Sequence, residues 1–368
     1  KNLREALYFL HKPPIEVDIP KLEAKQYEAQ TLMALEEIVA HQVALRRSRL
    51  EYQKELAFPI HLKKTTHQQF LANLPFTLTT AQLRAIDEIE HDLQSKQPMM
   101  RLVQGDVGSG KTVVAAIALI HAALAGFQAV FIAPTELLAE QHALNLAKWF
   151  TPFKLPALLL TGKLTEKQKK DAYKKIAASE VKIIIGTHAV FQDIVIYHDL
   201  NLVVIDEQHR FGVEQRQRLQ QKAKKGFTPH QLMMTATPIP RTLAMTAYAD
   251  LDSSIIDELP PDRIPITTTL VSQKKRDAII ERLRLQCEKG IQAYWVCTLI
   301  EESEVLPAKA AEKTYQYLQE KLPQLSIGLI HGRQKAQEKE AIMAQFKNHG
   351  LDILVATTVI EVGVDVPN

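Results

Sequence analysis

At 368 residues the chain holds enough material for two to three domains, each able to bury its own core, which excludes a small stapled module. With 46% hydrophobic and 24% charged residues, 18 Pro and 13 Gly, it has neither a disordered nor a fibrous composition. The net charge of +3 is too mild to establish a polyanion partner, so any case for nucleic acid rests on local motifs. Cys287 and Cys297 are the only cysteines, too few for a disulfide framework, and are read as reduced core residues of an intracellular, cytoplasmic protein. The most apolar run, 113–120, ends at His121, where a membrane span needs about twenty residues. No membrane helix and no secretory signal are expected. The absence of an initial Met and the stop just after a strand-like run suggest a piece of something longer.

In chain order, residues 1–75 repeat Leu22, Leu32, Leu35, Ile38, Val39, Val43 and Leu50 near helical spacing with no glycine. They read as one long helix after a Pro-broken opening, a lead-in from a missing N-terminal domain. From 76 to 260, strand-like runs at 100–103, 129–133, 181–185, 202–205 and 232–234 alternate with helical ones, the pattern of a parallel sheet covered by helices. The proline-rich stretch 260–265 reads as a linker. Beyond it, strands are expected at 266–271, 293–297, 327–330 and 353–356, with helices at 274–288, 308–321 and 336–346. The fold class is therefore α/β: two tandem units, 76–260 and an incomplete 261–368.

Gly105-Asp106-Val107-Gly108-Ser109-Gly110-Lys111-Thr112 matches the phosphate-loop pattern between a strand and a helix. The glycines let backbone N–H groups curl around phosphate oxygens, Lys111 reaches the β and γ phosphates, and Thr112 is a Mg²⁺ ligand. The run 201–205 then ends in Asp206-Glu207-Gln208-His209, placing two acids at the carboxyl edge of a strand, where open α/β sheets bind ligands. Asp206 suits Mg²⁺ and Glu207 suits the base that deprotonates an attacking water. Together these elements describe an ATPase.

What the hydrolysis drives follows from a resemblance. Asp206-Glu207-Gln208-His209 resembles the DExH box of superfamily 2 helicases, and Thr235-Ala236-Thr237-Pro238 their motif III. Residues 133–141 resemble motif Ia, 186–189 motif Ib and 356–368 motif V, in the family's order and spacing. More narrowly, 206–215, 235–242, 294–303 and 356–368 are similar to bacterial branched-DNA helicases of that superfamily. The resemblance spans nearly the whole chain and implies two tandem RecA-like P-loop domains, the second truncated, using ATP and Mg²⁺. It implies that Gln82 and Phe76 meet the adenine, that Gly363 and Asp365 complete the nucleotide site, and that His209 with Thr235 couples the γ-phosphate to motif III. Thr135, Thr187 and His188 become phosphate contacts for DNA. Plain structural readings stand beside these: helix caps at Thr79 or Thr80, Thr135 and Thr187, a structural His209, and a strand turn at 363–365. The lysines of 163–182 read as a solvated face or a DNA patch, and Arg210, Arg216, Arg218, Lys222, Lys224 and Lys225 as the better patch. The implied partners are forked or four-way junction DNA and single-strand DNA-binding protein, met by a nucleoid-associated monomer. Motif VI with its arginine finger and the wedge domain are not in the sequence, so weak turnover is expected of this segment. A coupling-factor type of translocase and a nucleotide-gated binding module are the alternatives.

Overall fold

The computed structural model describes residues 2–52, 54–61, 63–207, 221–237, 251–260, 266–297 and 305–357. The chain divides into two compact units, residues 1–262 and 263–368.

The larger unit opens with helices. α1 (Leu3–His11) starts on a capping box, Asn2 taking the Glu5 N–H while the Glu5 carboxylate takes that of Asn2. α2 (Ile19–Glu23) is capped by Asp18 and has Pro20 in its first turn, where a missing N–H costs nothing. α3 (Glu28–Tyr52) is the long helix, and α4 (Lys64–Ala72) is separate from it. The single helix expected over this region is thus broken around Pro59. Pro59 lacks the N–H that a continuing helix needs, and the extended backbone beside it is tied elsewhere. Ala57 N–H donates to Lys96 O (2.8 Å), Ile60 N–H donates to Leu93 O (2.7 Å), and Phe58 O accepts from the Asn201 side chain (2.8 Å).

Next comes α5 (Thr80–Leu93), then a doubly wound sheet of seven strands: β1 (Met100–Gly105), β2 (Gln128–Ile132), β3 (Ala157–Leu160), β4 (Ile183–Gly186), β5 (Leu200–Ile205), β6 (His230–Thr235) and β7 (Asp252–Ile256). The connecting helices described are α6 (Lys111–Leu124), α7 (Glu136–Phe150) and α8 (Glu166–Ala177). The strand order is β3-β4-β2-β5-β6-β1-β7 and every pairing is parallel. Both faces are covered, so β2, β4, β5 and β6 are buried at every position and read as near-continuous apolar runs. α6 is buried from Val113 through Ala123; its alanines let it lie close on the sheet. Two strands escaped the sequence reading: β3 has only four residues, and the edge strand β7 carries Asp252-Ser253-Ser254, which break any apolar run.

The smaller unit has a three-stranded parallel sheet, order β8-β10-β9, from β8 (Ala293–Cys297), β9 (Ile327–Ile330) and β10 (Ile353–Thr357). Helices α9 (Arg276–Cys287), α10 (Val305–Lys321) and α11 (Ala336–Lys347) flank it. Ile280, Leu318, Leu322, Ile353 and Val355 form one core cluster; Ile330, Met343, Phe346 and Leu354 form another. The strand expected at 266–271 is not there: Ile266 and Leu270 are solvent-exposed and no ladder forms. Both cysteines are free thiols, and no described helix is long and apolar enough to cross a membrane.

Candidate nucleotide site

Parallel register decides where the chemistry collects. Gln104 of β1 pairs with Thr235 of β6, and Ile205 of β5 pairs with Ile132 of β2, so the carboxyl ends of the central strands lie along one edge. From that edge emerge the phosphate loop after β1, Asp206 and Glu207 after β5, and Ala236 after β6.

The loop is built as a cradle. Gly108 and Gly110 take positive φ values of 76° and 84°, which an L side chain resists, and Gly110 is the residue that turns the chain into α6. A Cβ at Gly105 would overlap the Ser109 hydroxyl, and one at Gly110 would overlap the Gln82 amide. Asp106 O accepts from Ser109 N–H (3.0 Å) and its carboxylate accepts from Val107 N–H (2.8 Å), which fixes the crest. The Lys111 ammonium folds back onto Gly105 O (2.7 Å) and Asp106 O (3.0 Å). These are neutral acceptors that a phosphate, being charged, would outcompete. Ser109 Oγ is buried with no hydrogen-bond partner in the described residues, an orphan inside the cradle that a ligand oxygen would satisfy.

Gln82 is engaged at both ends of its amide. Its Oε1 accepts from Thr79 N–H (2.8 Å) in a capping box that starts α5, and its Nε2 donates to Ser109 O (2.8 Å). The helix-cap reading and a place beside the phosphate loop therefore hold together in one side chain. Phe76 is exposed, meets Trp149 edge-on at 6.3 Å, and helps wall a cavity of about 340 Å³ with Leu71, Pro75 and Leu83.

Asp206 is held at both oxygens: Oδ1 accepts from Glu207 N–H (3.1 Å) and Oδ2 lies 2.9 Å from His142 Nε2. Glu207 sits in the left-handed region at φ 51°, a conformation that costs a non-glycine residue on the order of 1 kcal/mol. Its Oε2 accepts from Ala236 N–H (3.4 Å), while Thr235 Oγ1 accepts from Thr237 N–H (3.2 Å). The base candidate is thus tied directly to the turn after β6. Thr112 and Asp206 offer hard oxygen donors, the chemistry that suits Mg²⁺. His209, Gly363 and Asp365 lie outside the described residues.

Of the expected DNA contacts, Thr135 caps α7 by accepting Leu138 N–H (3.4 Å) and is half-buried. Thr187 is buried with its hydroxyl unpartnered among the described residues, whereas His188 beside it is exposed. Lysines of 163–182 are partly spoken for: Lys169 pairs with Glu166, Lys175 with Asp171, and Lys182 donates to Gly126 O. Lys222 donates to Gln192 O and Val195 O, and Lys224 lies over the Phe58 ring; Arg210, Arg216 and Arg218 lie outside the described residues. His142 and the Glu207–Ala236 contact were missed from sequence, because each joins segments whose proximity only the sheet order creates.

Residues 79–246 match the DEAD/DEAH box helicase family and residues 274–368 the helicase conserved C-terminal domain. The first segment is thus similar to the DEAD/DEAH box helicases and the second to the helicase C-terminal domain, in a chain with two RecA-like domains in tandem. Within that class it is similar to the ATP-dependent DNA helicase RecG: 55% identical to that of Haemophilus influenzae over 100% of this chain and 53% of the relative, and 54% identical to that of Escherichia coli K12 over the same shares. A solved structure of RecG bound to a three-way DNA junction superposes with a TM-score of 0.82 at 39% identity, covering 99% of this chain and 46% of that one. The DEAD-box helicase Mss116 bound to ssRNA and UDP-BeF shares the fold, with a TM-score of 0.60 at 19% identity over 83% of this chain and 66% of that one. The chain thus spans about half the length of the RecG relatives it matches. These matches do not favour the coupling-factor alternative.

Proposed function

We propose that this chain is the motor segment of a helicase that uses ATP and Mg²⁺ to remodel branched DNA, such as stalled forks and four-way junctions. The supporting observation is one sheet edge carrying the phosphate loop, Asp206 and Glu207, in a chain similar to RecG from end to end. Residues 76–260 form the ATP-binding domain and 261–368 the second motor domain. Lys111 holds the β and γ phosphates, backbone N–H groups of 105–112 cradle them, and Gln82 and Phe76 meet the adenine. Thr112 and Asp206 would hold Mg²⁺, which when bound neutralises phosphate charge. Glu207 takes the proton of the attacking water, and its bond to Ala236 N–H passes the state of that carboxylate to the turn after β6. His209, Gly363 and Asp365 complete the site by resemblance. For DNA, His188 and the α7 start at Thr135 offer donors to phosphates, and Thr187 acts through its backbone. A cytoplasmic, nucleoid-associated monomer that meets single-strand DNA-binding protein completes this reading.

Turnover by the 368-residue segment is expected to be weak, since an arginine finger is worth roughly 10³ to 10⁵ in rate. The test is ATP turnover with and without forked DNA, comparing this segment with a chain extended toward the length of its relatives. DNA-stimulated turnover in the extended chain alone supports the reading; silence in both makes it a nucleotide-gated binding module. In a nucleotide titration beside that assay Lys111→Ala abolishes binding, while Glu207→Gln retains binding and loses turnover. Equal binding losses in the two variants would refute the assigned roles.

A further inference from the structure

His142 is buried on α7 at a place no motif of the chain explains. Its ring packs on Phe131 of β2, centroids 4.7 Å apart at 53°, which fixes the ring plane. Nε2 then lies 2.9 Å from Asp206 Oδ2, and both side chains are largely shielded, at 11% and 13% exposure. A carboxylate turns freely about its last bond unless both oxygens are held. Here Oδ1 takes a backbone N–H from Glu207 and Oδ2 takes the imidazole N–H, with the Nε2–H tautomer donating. Each oxygen keeps a further lone pair for a cation or a cation-bound water. The donor reaches Asp206 from a helix whose first turn is the one capped by Thr135, so the acid is tied to an element outside its own strand.

We propose that His142 is a positioning residue that sets the Asp206 carboxylate for Mg²⁺, an inference that rests on Asp206 being a metal ligand. Hydrogen-bonded partners of ligating carboxylates typically change metal affinity by about 10–100-fold when lost. Nucleotide contacts that do not involve the metal are untouched by the exchange.

The test titrates Mg²⁺ into protein holding a fluorescent ADP analogue and reads nucleotide affinity, with an EDTA series as the metal-free reference. His142→Leu, which fills the space without a donor, raises half-saturating Mg²⁺ about tenfold or more and leaves affinity in EDTA unchanged. His142→Gln restores an N–H and returns the Mg²⁺ requirement close to the parent value. A His142→Leu protein with the parent requirement overturns the proposal, as does a His142→Gln protein as impaired as His142→Leu. Asp206→Asn separates the two layers: if it too leaves the Mg²⁺ requirement unchanged, the metal role of Asp206 itself has failed. Should His142→Leu not fold, the parent protein with ¹⁵N-labelled imidazoles provides the deciding measurement. The Nε2 resonance missing from His142→Gln shifts when Mg²⁺ joins bound ADP, and one that does not respond overturns the inference.

Discussion

Gly110 shows how closely single residues constrain the site. Its φ of 84° and the overlap of any Cβ with the Gln82 amide mean that Gly110→Ala meets both backbone strain and displacement of Gln82. Gln82 cannot yield cheaply, because its amide caps α5 at one end and holds Ser109 O at the other. Gly110→Ala is therefore expected to cost about 1–3 kcal/mol of stability and to abolish measurable nucleotide binding, checked by denaturant melts and a nucleotide titration. A variant that binds like the parent would show that the cradle tolerates a side chain there. The same residues show what a sequence discloses. Gly105, Gly110, Lys111 and the acids Asp206 and Glu207 were legible because each follows an apolar run at fixed spacing. His142 was not, because nothing in Glu140-Gln141-His142 says that β5 will end beside α7. Thr187 was legible as a motif, but its burial was not, since it depends on packing around β4.

At the level of elements, the extended segment after α3 is the least foreseeable feature and has a pH signature. His230, fully buried at the start of β6, accepts Met99 N–H at Nδ1 (3.0 Å) and donates from Nε2 to Phe58 O (3.1 Å). Phe58 is stacked on Phe227 at 3.7 Å, so this contact fixes the lead-in to the sheet edge opposite the nucleotide site. Burial holds the imidazole below its ordinary value of 6.5 despite the Phe58 carbonyl, and Nδ1 has no room for a second proton while Met99 donates to it. The sign follows: the unfolded chain takes up a proton first as pH falls, so this contribution is complete above 6.5 and shrinks below it. Denaturation midpoints measured downward from about pH 8 are expected to fall below pH 6.5 more steeply in the parent than in His230→Gln, which cannot titrate. Parallel curves would remove His230 as the cause. Alternation of strands and helices was readable because buried strands carry unbroken apolar runs; this clamp was not, as Phe58 and His230 stand far apart in the chain.

For the whole molecule, two compact units of unequal size predict two unfolding events. Among the described residues the larger has a seven-stranded sheet covered by helices and the smaller a three-stranded one with correspondingly less core, so the smaller is expected to melt first. Ligands stabilise only the unit that binds them, by about 2.7 kcal/mol at a hundred times Kd. ADP, whose phosphates the loop of the larger unit can hold alone, should raise the upper transition in calorimetry and leave the lower one in place. If ADP moves the lower transition and not the upper one, the phosphate loop of the larger unit is not where the nucleotide binds.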